Sequence, residues 1–447
     1  MIFDLGTRVH IVGVGGAGMS GLARLLAQRG CTVTGSDARP STVLDELSSA
    51  GVTVHVGHDA TFVADAQVVL WSPAVAMDHV ELVTARERGA IMVTRARVLD
   101  ELATMQPVVG LTGTHGKTTA TSMMVHVLHA AGVDASRLLG APVVGVGANG
   151  HWGAGPLVME VDESYGTFRE LVPSSLGLLN VEADHLDYYG DRRTLDAAFA
   201  DLVTRTTSPV VIWADDPGSQ RVLEVVERPV TTVGRRVGEW IVTDEVLARR
   251  AARFELRGAS DHLAIELSVT GSHNVANAAV VATLALALGV EREHVMAGLR
   301  AFVGAPRRFE FRGRWRGADV YEDYAHLPGE VAATRAAGYE RIVAVFQPHR
   351  VTRTIALAQD FATAFDGAQR VIVTDIYRAG EANPSGATGR LVANAVAGSL
   401  AGQVDYAATF AEVVATLAAG PAVDVILVLG AGDIADVIGL LPDGLDP

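Results

Sequence analysis

Gly113-Thr114-His115-Gly116-Lys117-Thr118-Thr119 is the stretch on which the reading of this chain turns. Lys117 is the only lysine in 447 residues, so of 36 basic side chains the other 35 (36 less this one) are arginine. A composition that replaced lysine everywhere else kept one ammonium directly after a glycine. Arginine is planar and forked, whereas lysine is a compact charge on a thin stem, and a loop wrapped around a phosphate needs the second. Pro107-Val108-Val109-Gly110-Leu111 reads as a short buried strand, and Thr118 to Ala131 as a helix stopped by Gly132. Strand, glycine turn, lysine and helix make a phosphate cradle, with backbone N–H groups and the helix N-terminus facing the anion. The Thr118 hydroxyl falls where Mg²⁺ is held in such loops. One position departs from the full pattern, which has glycine where Leu111 stands.

The bulk composition narrows the partners. Net charge is −15 and no basic run is present, which argues against nucleic acid. An anionic substrate must therefore be gripped by local loops and a few arginines. Cys31 is alone, so no intrachain disulfide can form. The first residues carry no secretory pattern before a strand begins at Arg8, and the longest uncharged apolar stretch, Val275 to Val290, is too short to span a bilayer. The expectation is a soluble cytoplasmic α/β protein without membrane insertion or an obligate protein partner.

Two to four domains are expected at this length, and the chain reads as three. Residues 1–106 alternate strand and helix, with strands at Val9–Val12, Thr32–Thr34, Val52–Val56, Val68–Trp71 and Ile91–Val93. The first turn, Gly13-Val14-Gly15-Gly16-Ala17-Gly18, carries G-x-G-x-x-G, and Asp37 follows where a ribose-binding acid belongs. This is a Rossmann-like unit for a diphosphate. Two phosphate turns in one chain suggest two nucleotides, and the lysine-bearing turn suits a triphosphate.

Residues 107–304 form a central P-loop-type α/β domain. The strand Leu157–Val161 ends among Glu160, Asp162 and Glu163, and Leu176–Leu179 runs into Asp184-His185-Leu186-Asp187. Ligands gather outside the carboxyl ends of parallel strands, so Lys117, Glu160 and His185 are expected in one site. A carboxylate and an imidazole beside a phosphate loop suit Mg²⁺. Arg235, Arg236, Arg249 and Arg250 could touch phosphate, but read sooner as a solvated face. Asn274 and Asn277, three apart at the opening of a long apolar helix, share one face; they either cap the helix or read an adenine edge. Residues 305–447 are again Rossmann-like α/β. Their strand ends carry Asp323-Tyr324-Ala325-His326, Gln347-Pro348-His349-Arg350, Asp375-Ile376-Tyr377 and Gly430-Ala431-Gly432-Asp433, a further binding surface.

Nine segments in order resemble the Mur ligase family: HIVGVGGAGMSG at 10–21, TGTHGKTT at 112–119, EVDES at 160–164, NVEADHLDYY at 180–189, HNVAN at 273–277, RRFE at 307–310, DYAH at 323–326, FQPHR at 346–350 and TDIYRAGE at 374–381. The likeness is strongest to the branch that adds L-alanine. It implies an amide ligase in which ATP phosphorylates the lactyl carboxylate of UDP-N-acetylmuramate and the amine attacks the acyl phosphate. Carried over by position, Gly113, Thr114, His115, Gly116, Lys117, Thr118 and Thr119 face ATP, with Asn274 and Asn277 on the adenine side, Arg308 near the transferred phosphate and Asp323 near the ribose. Gly15, Gly16, Ala17, Gly18, Met19, Ser20, Asp37 and Ser72 fall to the UDP-sugar, joined by His349, Arg350 and Arg353. His326 faces the muramyl substrate, and Thr118, Glu160 and His185 take Mg²⁺. Lys117, Glu160, His185, Arg308 and His326 are thus the expected catalytic set.

This chain departs from the family at Leu327, Val351 and Tyr165, where a histidine, a tyrosine and an acid are usual. Sister ligases that add later amino acids use a carbamylated lysine in the helix after the Asp-His segment. The corresponding stretch here, Thr194 to Ala200, has none. Three other readings compete. A ligase that reattaches a recycled peptide to the same sugar nucleotide would share most motifs. A nicotinamide-dependent oxidoreductase would leave Lys117, Glu160 and Arg308 idle. A non-catalytic nucleotide sensor would have no use for the metal set.

Overall fold

The computed structural model describes residues 2–72, 75–259, 261–333 and 339–446. Among them the backbone forms three sheets. The first holds β1 (Arg8–Val12), β2 (Thr32–Asp37), β3 (Thr53–Val56), β4 (Val68–Trp71) and β5 (Ile91–Val93), in the order β3-β2-β1-β4-β5 with every pairing parallel. The order reverses at β1, and the glycine turn follows that strand, where ligands bind in doubly wound sheets. Four of the five β1 residues are buried, as a strand covered on both faces requires.

The second sheet contains β6 (Val108–Thr112), β7 (Ser136–Leu138), β8 (Gly150–His151), β9 (Leu157–Val161), β10 (Ser175–Leu178), β11 (Val210–Trp213), β12 (Thr231–Gly234), β13 (Trp240–Leu247), β14 (Ala252–Arg257) and β15 (His262–Leu267). Their order is β15-β14-β13-β12-β11-β10-β6-β9-β7-β8. β6 is buried along its whole length and runs parallel to both neighbours, β10 and β9. The loops leaving these three strands therefore emerge side by side.

The third sheet holds β16 (Glu310–Trp315), β17 (Ala318–Asp323), β18 (Ile342–Phe346), β19 (Arg370–Val373), β20 (Gln403–Tyr406) and β21 (Val425–Leu429), in the order β16-β17-β21-β18-β19-β20. β16 alone is antiparallel. Two layers of apolar side chains cover its faces: Phe346, Phe361, Phe365 and Val392 on one, Val343, Ile372, Val413 and Ile434 on the other.

By proximity the chain falls into two compact units. One comprises residues 1–245, 253–267 and 276–303, the other residues 246–252, 268–275 and 304–447. The long helix Ser272–Ala287 begins in the second and continues in the first. Of the four arginines read as a solvated face, Arg236, Arg249 and Arg250 are exposed and Arg235 is partly buried, and each also has a partner. Arg235 pairs with Glu245 at 2.7 Å, Arg236 reaches Asp215 at 4.0 Å, Arg249 lies over the Tyr339 ring, and Arg250 lies over Phe311. No helix among the described residues is long and apolar enough to cross a membrane.

Candidate active site

The lysine loop is built by its own backbone. Gly113 adopts φ +138° and Gly116 φ +82°, conformations that an L side chain resists. A Cβ on Gly113 would meet the Asn180 carbonyl at 2.9 Å, and one on Gly116 would meet Asn277 Oδ1 at 2.7 Å. The loop after β10 braces the turn: the His115 N–H donates to Asn180 Oδ1 at 2.8 Å, and the Glu182 N–H donates to Thr114 Oγ1 at 2.8 Å. His115 Nε2 also pairs with Glu182 at 3.1 Å. The helix Lys117–Ala130 then points its free N–H groups back at the turn.

Lys117 Nζ donates to the carbonyls of Gly113 at 2.8 Å and Thr114 at 3.2 Å. It also reaches Glu163 Oε2 at 2.7 Å and Asp162 Oδ1 at 3.7 Å. Burial works against the ammonium, but Glu163 and Asp162 outweigh it and hold its pKa above the ordinary lysine value. Glu163 is 1% exposed; burial pushes its carboxyl up to about 7, with Lys117 opposing and Asp162 adding to the rise. The sequence placed Glu163 at the strand end without recognising it as the partner of the lysine. A buried acid beside a buried apolar strand was the available signal.

Glu160 accepts the Gly140 N–H at 2.8 Å and adds to the negative field on Lys117. His185 meets Ser164 Oγ at 3.1 Å and Asp184 at 3.5 Å, on a left-handed backbone with φ 53°. Thr118 is buried in the first turn of the helix. No group of three His, Cys, Asp or Glu ligand atoms converges at this loop among the described residues. A cation held here would take one carboxylate, one imidazole and one hydroxyl, and complete its shell from phosphate and water. That suits Mg²⁺, which keeps several non-protein ligands. Tyr165 stands in this segment, and its side chain lies outside the described residues.

In the first domain the glycine turn is tied to Asp37, whose Oδ2 accepts the Gly15 N–H at 2.9 Å. The acid expected at a ribose therefore also shapes the turn. Ser20 donates to the Ala17 carbonyl and accepts from Asn149 Nδ2 at 3.1 Å, and Met19 is buried with it. Gly18 faces Arg95, whose guanidinium lies 3.1 Å from the place a Cβ would take and whose charge lowers the Asp162 pKa alongside that of Lys117. Arg95 was not singled out in the sequence; an arginine opening an ordinary helix gives no local signal. Ser72 packs its Cβ against Gly13.

The second unit gathers the remaining set at the carboxyl ends of β17, β18, β19 and β21. Asp323 accepts the Phe309 N–H at 2.6 Å and the Ala325 N–H at 2.7 Å, so both oxygens pin loop backbone. Arg308 lies over the Tyr324 ring at 4.9 Å. His326 stands edge-on to His349 at 5.5 Å, and His349 stacks on Tyr377. The buried Nδ1 of His349 has no hydrogen-bond partner among the described residues. Leaving a buried polar atom unpaired costs about 1–3 kcal/mol, so this nitrogen keeps an unmet hydrogen-bonding capacity. Arg350 caps the helix Val351–Leu357 with φ 68°, and Arg307 and Phe309 are left-handed too. With His185, four of the eight non-glycine residues at positive φ among the described residues lie here, and such strain concentrates at functional sites. Leu327 and Val351, at two of the departures, are buried apolar groups. Asn274 donates from Nδ2 to the Thr270 carbonyl at 2.7 Å, the helix-end role, whereas Asn277 abuts Gly116. The two amides read as equivalent thus do different work.

Compared with known families, residues 8–106 match the Mur ligase family, catalytic domain, residues 111–285 the Mur ligase middle domain, and residues 307–432 the Mur ligase, glutamate ligase domain. The chain belongs to the Mur ligase family. Among Mur ligases it is 39% identical to the UDP-N-acetylmuramate–L-alanine ligase of Renibacterium salmoninarum, over 99% of this chain and 96% of the relative. It is 39% identical to the ligase of the same name from Thermobifida fusca, over 96% and 95%. The crystal structure of the UDP-N-acetylmuramate–alanine ligase of Thermotoga maritima superposes with TM-score 0.81 at 28% identity, over 96% of this chain and 97% of that one. A murein peptide ligase from Psychrobacter arcticus, 23% identical with TM-score 0.70 over 98% of each chain, shares the fold.

Proposed function

We propose that this Mur ligase joins L-alanine to the lactyl carboxylate of UDP-N-acetylmuramate, consuming ATP and releasing ADP and phosphate. The observation that carries the reading is the setting of Lys117, a sole lysine in a glycine cradle beside Asp162, Glu163 and Glu160, within a chain alike from end to end to ligases of that name. The γ-phosphoryl group passes to the substrate carboxylate as ADP leaves. The alanine amine then attacks the acyl carbon, the carbon–oxygen bond to phosphate breaks, and the amine gives up a proton.

Each residue has a task in that sequence. The Gly113–Thr119 backbone and Lys117 hold the ATP phosphates, and Lys117 offsets charge that spreads over the transferring group. Mg²⁺, when bound by Glu160, His185 and Thr118, would neutralise phosphate oxygens. Asn277 packs on Gly116 and, with Asn274, serves the adenine side; Asp323 serves the ribose and Arg308 the transferred phosphate. The turn Gly15–Ser20, with Asp37 and Ser72, receives the UDP moiety, and His326, His349, Arg350 and Arg353 receive the sugar-nucleotide acid. We place the reaction in the cytoplasm, where its nucleotide substrates are found.

Phosphate release that requires both UDP-N-acetylmuramate and L-alanine tests the assignment. The recycled-peptide ligase is the lesser reading, since its likeness to the Psychrobacter arcticus enzyme is one of fold.

A further inference from the structure

A second cluster of ligand-type side chains lies in the first domain and takes no part in the proposed reaction. Glu81, fully buried at the start of the helix Val80–Glu87, accepts four hydrogen bonds. Its Oε2 takes the Ser36 hydroxyl at 2.6 Å and His10 Nε2 at 3.1 Å, and its Oε1 takes His58 Nδ1 at 3.0 Å and the Asp59 N–H at 3.3 Å. His79 stands at the helix N-cap with its ring perpendicular to that of His58, centroids 4.4 Å apart. One ligand atom each from His58, His79 and Glu81 lies within 4.8 Å of the other two, and both imidazoles are partly open to solvent. Among the described residues no other three His, Cys, Asp or Glu side chains meet that test.

We propose that His58, His79 and Glu81 bind a divalent transition-metal ion, Zn²⁺ by their donor chemistry, with solvent completing the shell. Two imidazoles and a carboxylate select a borderline cation over Mg²⁺ or Ca²⁺, which prefer all-oxygen shells. Three protein donors and an open fourth position is an established zinc arrangement. The 3.0 Å separation of His58 Nδ1 and Glu81 Oε1 approaches the edge of roughly 3.3 Å implied by a tetrahedron with bonds of about 2.0–2.1 Å. The ion takes the place of the bridging proton, and the neutral His58 ring carries its proton on Nε2 instead. Ser36 and His10 fix the far carboxylate oxygen, the outer-shell support that metal-ligating carboxylates need. Ser36 also accepts the Gly13 and Val14 N–H groups through its carbonyl at 2.8 and 3.0 Å, so the ion would brace the floor of the glycine turn.

The test is Co²⁺ titration of the chelator-stripped full-length protein, followed by Zn²⁺ displacement. It is run on wild type, His79→Ala, His58→Gln and Glu160→Gln, each checked for folding by circular dichroism. The expected result is one Co²⁺ bound by wild type and by Glu160→Gln, with the intense visible bands of a four- or five-coordinate ion that Zn²⁺ abolishes. In His79→Ala and His58→Gln affinity should fall at least about tenfold. His79 is partly exposed and caps rather than fills the core, so its variant decides the matter if His58→Gln misfolds. Unchanged uptake by His79→Ala, no uptake by wild type, or uptake lost only in Glu160→Gln overturns the proposal.

Discussion

The ammonium of Lys117 lies 2.7 Å from Oε2 of Glu163, and that carboxylate is 1% exposed. The loop therefore carries its own counter-charge, and a nucleotide phosphate must draw the ammonium away from Glu163 to use it. The stem is confined as well, with two loop carbonyls within 3.2 Å of Nζ. A thin, rotatable cation can turn from one acceptor to the next; a planar fork of five donors cannot do so in this space.

Lys117→Arg, which preserves charge and changes shape, should reduce turnover by about 100-fold or more while the thermal unfolding midpoint moves little. Steady-state phosphate release beside differential scanning calorimetry separates the two effects. Near-normal ligation by a well-folded variant would remove this loop from the chemistry.

Much of this was legible in the sequence because the decisive features are local. The strand–glycine–lysine–helix succession, the G-x-G-x-x-G turn and the acids ending β9 each lie within a few residues, and all fell where expected. What was not legible depends on contacts far apart in sequence. Glu163 meets Lys117 across 46 residues, Asp37 meets Gly15 across 22, and Arg95 faces Gly18 through tertiary packing. Asn274 and Asn277 looked equivalent by helical periodicity, yet one ties to Thr270 and the other to Gly116; periodicity gives the face of a helix and not what covers it. The exposure of Arg236, Arg249 and Arg250 was legible, but the partners of Arg235 and Arg250 were not, since Glu245 and Phe311 come from other strands.

Glu160→Gln and His185→Ala should each lower activity strongly, with the Mg²⁺ concentration for half-maximal rate displaced upward in at least one of them. A Mg²⁺ titration of initial rates reads this directly. If both variants match wild type at low Mg²⁺, the cation is held elsewhere.

His349 carries a pH signature. Burial, helped by the neighbouring charges of His326, Arg353 and Arg350, lowers its pKa from 6.5 to about 4. Between those values the unfolded chain takes up the proton first, so this contribution to stability is complete above about 6.5 and lost as pH falls towards 4. His349→Gln should flatten the decline in unfolding free energy over that window, measured by urea titration at several pH values. An unchanged slope would show that His349 is not held neutral.

Activity should be indifferent to bicarbonate. In the helix Arg192–Arg205, Asp196 pairs with Arg221 at 2.7 Å, and no lysine is present to be carbamylated. A carbamate on Lys117 would invert its charge against the triphosphate at close range. Assay in degassed buffer with and without added bicarbonate checks this, and a several-fold recovery of rate, with added mass on the peptide containing Lys117, would contradict it.

The most direct measurement is phosphate release from ATP by the purified full-length chain, with each acceptor omitted in turn. The account predicts turnover only when UDP-N-acetylmuramate and L-alanine are both present, with one UDP-N-acetylmuramoyl-L-alanine formed per phosphate. Release that ignores L-alanine but responds to a murein tripeptide, or no release with all three substrates present, would contradict it.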